Sequence, residues 1–112
     1  MSFSNTRRRY ASFDTVASIP GEVIDAFWFI IDHHLKGVFP LETIINFDLV
    51  NSDNLLSIRF SQDNSPTTIL VDFGYPFNPE WPLHYRAVDN MGRETIMTAR
   101  EMICLRSFRL SL

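Results

Sequence analysis

Residues 19–36 read IPGEVIDAFWFIIDHHLK, and this stretch decides the fold. Pro20 suits a first helical turn, where its missing N–H leaves no bond unmade, and Glu22 complements the positive end of the helix dipole. At 3.6 residues per turn, Ile24, Phe27, Ile31 and Leu35 form one stripe, flanked by Val23, Trp28 and Ile30. Asp25, Asp32, His33 and Lys36 fall on the far side, and Phe29 falls there with them. Gly37 follows as the residue able to end the helix in a left-handed conformation. One long amphipathic helix over Ile19–Lys36 is therefore expected.

Working outward, Thr43–Val50, Leu55–Ser61 and Thr67–Phe73 alternate with period two. Ile45, Phe47 and Leu49 share a face, as do Leu56, Ile58 and Phe60, and Ile69, Val71 and Phe73. The turns Asn51-Ser52-Asp53-Asn54 and Asp63-Asn64-Ser65-Pro66 join them as hairpins. Tyr10–Ala17 reads as an earlier strand. Leu83–Val88 and Glu94–Ala99 form a last hairpin through Asp89-Asn90-Met91-Gly92. Gly74–Pro82 carries three prolines and reads as a loop.

The expected class is α+β, one long amphipathic helix packed on a twisted, mainly antiparallel sheet of five to six strands. Residues 1–9 read as a flexible basic N-terminus, 10–101 as a single domain and 102–112 as a tail, either an added strand or a short helix. The opposite sheet face would carry Asn46, Asp48, Ser57, Arg59, Thr68 and Asp72. With the strands in order, Arg59 falls between the carboxylates of Asp48 and Asp72.

A chain of 112 residues with 46% hydrophobic content and ten Phe can build a core without disulfides. It buries about two-thirds of its unfolded surface. The lone Cys104 has no internal partner, which fits a reducing cytoplasm. Met1–Tyr10 has no apolar segment of a signal peptide. The longest apolar run, Ala26–Ile31, falls far short of the ~20 residues of a membrane span. The net charge of −3 argues against nonspecific nucleic-acid binding, although Arg7, Arg8 and Arg9 cluster near one end and Arg100, Arg106 and Arg109 near the other.

No motif for catalysis, metal or cofactor stands out. His33 and His34 diverge by about 100° on a helix and lack the HxxxH spacing of a zinc pair. His34 at the helix end suits bonding to free carbonyls. Cys104 lies in an apolar run, where burial raises a thiol's pKa. The serines lack a nucleophile elbow, and four scattered glycines form no phosphate loop. Arg59 between Asp48 and Asp72 would keep both ionised, which is wrong for a general acid. An enzyme would need a pocket joining His84 to a carboxylate. The expectation is a non-enzyme with no cofactor.

Two surface features remain. Phe29 projects from the polar side of the helix. Tyr75, Phe77 and Trp81 gather aromatic rings among prolines, a composition enriched at protein contacts and equally suited to plugging the end of a core.

The order of short motifs resembles a known family. Arg9-Tyr10 opens it, and Ile19-Pro20 begins an aromatic helix ending Ile30-Ile31-Asp32. Ser61-Gln62-Asp63 leads to Pro66, Trp81 precedes a strand ending in Asp89, and Glu94-Thr95-Ile96-Met97 closes it. Together, over roughly residues 7–101, they resemble a small Firmicutes family described as a staphylococcal protein of unknown function. The tail from Met102 departs from it, and Tyr75–Glu80 aligns poorly. The resemblance implies a small cytoplasmic protein of low-GC Gram-positive bacteria, often on phages or other mobile elements. It implies no activity, cofactor or site residue.

The functional expectation is a module that binds an unidentified protein partner, with Phe29, Tyr75, Phe77 and Trp81 as anchors. A mobile-element protein that inhibits or modulates a host protein is the concrete form. The alternative is nucleic-acid binding through Arg7, Arg8, Arg9, Arg106 and Arg109. Phe108, Leu110 and Leu112 alternate and could add a strand to a sheet edge, in the same chain or in a homodimer.

Overall fold

Period-two alternation builds one six-stranded mixed sheet in the computed structural model, which describes residues 2–101. Its strands are β1 (Arg8–Ala11), β2 (Ile44–Ser52), β3 (Leu55–Gln62), β4 (Ser65–Pro76), β5 (His84–Asn90) and β6 (Arg93–Thr98). They lie in the order β1-β6-β5-β2-β3-β4. All neighbours are antiparallel except β1, which runs parallel to β6.

The stretch 19–36 does form the main helix, but not as one regular α-helix. α2 spans Gly21–Ile30 and passes without a break into a π-helical turn, Ile31–Leu35, for 15 residues in all. Lys36 N–H bonds back to Ile31 C=O at 2.9 Å, five residues earlier, and Gly37 ends the segment at φ +75°. Val23, Phe27, Ile30, Ile31 and Leu35 are buried against the inner sheet face. The Phe27 ring lies 5.0 Å from Phe47 and 5.2 Å from Tyr85, as tilted pairs. The wider π turn carries the buried stripe from Ile31 to Leu35.

Three expectations change. Tyr10–Ala17 is not one strand: β1 stops at Ala11, and α1 (Phe13–Ser18) begins after Ser12. The Ser12 hydroxyl accepts the Thr15 N–H at 3.2 Å, a helix cap that outcompetes strand propensity. Of the basic leader expected over residues 1–9, the described part holds the fully buried Phe3 and places Arg8 and Arg9 in β1. The Gly74–Pro82 loop is shorter, because β4 continues to Pro76 at the sheet edge, where proline removes no ladder bond. Finally, the β3–β4 register puts Leu70, not Asp72, opposite Arg59, while Asp72 faces Ser57.

The expected tail, with Cys104, Arg106, Arg109 and the Phe108–Leu112 segment, lies outside the described residues. Among the described residues no helix is long and apolar enough to cross a membrane.

Candidate functional site

Strand parity gives the sheet two unlike faces. The inner face is apolar under α2, apart from the buried Gln62, Glu94 and Thr98. Glu94 accepts from Arg9 Nε at 3.0 Å and from the Thr6 hydroxyl at 2.5 Å. The Arg9 guanidinium also forks onto Asp32 of the π turn and lies 4.8 Å over the Trp28 ring. That fork holds the Asp32 carboxyl below its ordinary range. Arg9 therefore joins β1, β6 and the helix.

The anchors named from sequence do not form one patch. Phe29 is 45% exposed and stacks on His33 at 4.4 Å, with His34 at 5.7 Å and Phe73 of β4 at 6.4 Å. His34 is exposed beside this ring. Trp81 is buried, 6.2 Å from Tyr75 and 5.8 Å from Phe77, and both of those rings pack on the core. Tyr75 donates its hydroxyl to Glu22 at 3.0 Å, which raises the phenol pKa. The loop aromatics thus close the end of the core, with only part of Tyr75 and Phe77 showing. Sequence reasoning missed Phe13, 89% exposed at the start of α1.

Among the described residues no helix covers the outer face. Register aligns its residues in rows across the strands. Arg8, Arg93 and Asn90 make the first, and Tyr10, Thr95, Val88 and Ile44 the second. Met97, Arg86, Asn46 and Ser61 make the third, and His84, Asp48, Arg59 and Leu70 the fourth. Asp48 lies between His84 Nδ1 at 2.7 Å and Arg59 at 3.4 Å, the reverse of the expected cation between two acids. The hydroxyl of Ser57 donates to Asp72.

His84 meets the Asp48 carboxylate on the outer sheet face. Among the described residues its only hydrogen bond is to Asp48, so no nucleophile is aligned with it. A groove of about 1060 Å³ runs past Ile44 and Arg86 toward Glu42, Asp63 and Asp89. Its acids are occupied: Glu42 by Asn64 at 3.1 Å, Asp63 by Asn46 at 2.9 Å, and Asp89 by the N–H groups of Phe3 and Gly92, both at 2.8 Å. Among the described residues no group of three metal-ligating side chains converges.

The arrangement defines a helix-covered mixed sheet with one apolar and one open polar face. A family model described as "Staphylococcal protein of unknown function (DUF960)" matches residues 8–101, and the chain belongs to that family. A solved structure, "Crystal structure of the protein of unknown function from Enterococcus faecalis", is similar at 41% identity and TM-score 0.83. The match covers 86% of this chain and 91% of that one. No curated protein matches this chain.

Proposed function

We propose that this protein is a non-enzymatic accessory module that binds a protein partner along the Phe29 side of its helix. The observation that carries the reading is Phe29 itself. It is 45% exposed beside Phe73 of β4, the edge strand of the sheet among the described residues. A half-exposed aromatic packed against other rings is the kind of anchor that carries binding energy at protein interfaces. Glu22 and Asp25 lie exposed on the same helix, so the partner chemistry that fits is a basic surface with an apolar pocket. Tyr75 and Phe77, partly exposed and packed on the buried Trp81, would make a second, separate contact at the end of the core. The finer reading is a mobile-element protein that inhibits or modulates a host protein.

The test has two stages. Tagged protein captures its partner from nuclease-treated host lysate, and the purified pair is then titrated. Phe29→Asp is expected to weaken binding by about 2 kcal/mol, some thirtyfold, the scale of a hot-spot loss. Raised salt should slow association, as attraction between an acidic and a basic surface requires. Unchanged affinity in Phe29→Asp would sink this surface.

A further inference from the structure

We propose that the open sheet face, at its β1–β6–β5 end, binds single-stranded nucleic acid through Arg8, Arg86 and Arg93, with Tyr10 as a stacking ring. Charge placement is the first argument. The chain carries a net −3, yet the outer rows hold Arg8, Arg59, Arg86 and Arg93 against the carboxylates of Asp48 and Asp72, while Glu42, Asp63 and Asp89 of the groove beside Arg86 are hydrogen-bonded to other residues. Arg59 is paired with Asp48. Among the described residues, no hydrogen bond or ion pair engages the guanidinium of Arg8, Arg86 or Arg93. Every other described arginine except Arg7 has a carboxylate partner.

The pairing of Arg8 is the second argument. Arg8 of β1 lies directly across from Arg93 of β6. Like charges facing each other across strands are destabilising. The neighbour beyond Arg93 is Asn90, a neutral amide, so no acid of the sheet relieves the repulsion. A bound anion relieves it. Arg86, four residues along the ladder or about 14 Å away, supplies a second cationic point. Two separated points suit a polyanion better than a single small anion.

The row between them selects the polyanion. Tyr10 is 44% exposed there and continues into Thr95, Val88 and Ile44, an uncharged strip between the two cationic rows. Bases stack on such a ring while arginines track the phosphates. An acidic peptide has no use for the flat strip, and a duplex keeps its bases out of reach of Tyr10. Arg9 takes no part, because its guanidinium is held by Asp32 and Glu94 on the other side of the sheet. The surface therefore differs from a cluster of terminal arginines.

Fluorescence anisotropy of labelled oligothymidylate and oligouridylate, titrated with the full chain over a salt series, tests the proposal. Binding is expected to weaken as salt rises, with a log–log slope of about −0.7 per phosphate contact. Arg86→Gln/Arg93→Gln should lose about tenfold or more in affinity and flatten the slope by about 0.7 for each contact removed. Tyr10→Ala should lose affinity at unchanged slope, since stacking releases no counterions. Circular dichroism and thermal unfolding check that each variant is folded. Three results overturn the proposal: no binding at low salt, loss in Arg106→Gln/Arg109→Gln with Arg86→Gln/Arg93→Gln silent, or equal competition by polyglutamate of the same charge. The last would assign the face to acidic proteins.

Discussion

Arg9 shows how one side chain can decide where a strand goes. Its Nε meets a carboxylate with no exposed surface, Glu94, while its terminal nitrogens take Asp32. Removing one partner of a buried pair leaves the other charge unpaired, which costs about 3 kcal/mol or more, whereas replacing both by apolar groups is often neutral. Arg9→Met is therefore expected to lower unfolding free energy by about 3 kcal/mol in a urea titration. Arg9→Met/Glu94→Leu should recover much of that loss, with the Thr6 hydroxyl then the group left short of a partner. A loss below about 1 kcal/mol in the single variant would place the Arg9–Glu94 pair among ordinary surface pairs. The sequence shows Arg9 only as one of three consecutive arginines. Strand parity separates it from Arg8, and nothing local reveals that its partners lie 23 and 85 residues away.

At the scale of elements, α1 is tied to the segment after β6 by charge. The Arg100 guanidinium forks onto Asp14 at 2.6 and 2.7 Å, and Thr98 donates its hydroxyl to the same carboxylate at 2.6 Å. These bonds, Arg100 foremost, lower the Asp14 pKa from 3.8 to about 2. A lowered folded-state pKa gives stability that is present above the unfolded value and is lost as pH falls through the folded one. Wild type should thus exceed Asp14→Asn in stability above pH 3.8, by the small margin of a solvent-screened pair, and the gap should close toward pH 2. Acid-titrated thermal unfolding of both proteins reads this directly, and a gap independent of pH would exclude the ion pair as its source. The same region shows where sequence reading stops. The central strands were legible because Ile45, Phe47, Leu49 and their counterparts alternate against one apolar helix. Ser12 and Thr15 were legible only as strand-tolerant polar residues, and their pairing as a cap depends on the turn that it creates. The open face was half legible: alternation sets Arg86 and Arg93 opposite in parity to Tyr85 and Ile96, but only register makes Arg8 and Arg93 neighbours.

At the scale of the molecule, the sheet separates the acids of the helix from three arginines of the open face. Glu22, Asp25 and Asp32 lie on the helix side, and Arg8, Arg86 and Arg93, without a carboxylate partner among the described residues, lie on the other. Solvent-exposed charges farther apart than the ~8 Å screening length at physiological salt act on each other weakly. The two proposed surfaces therefore feel each other weakly, and neither shares a residue with the other. If both readings hold, one chain carries a basic protein on its helix side and single-stranded nucleic acid on its open face at once. Adding captured partner to a preformed complex with labelled oligonucleotide should raise anisotropy further, as expected of a larger particle. Oligonucleotide affinity should change less than fivefold, since allosteric coupling of about 1 kcal/mol would already give that factor. Phe29→Asp should abolish the second rise and leave the first in place. Release of the oligonucleotide by the partner would mean that the two compete for one surface, and the proposed division of the molecule into two independent faces would fall.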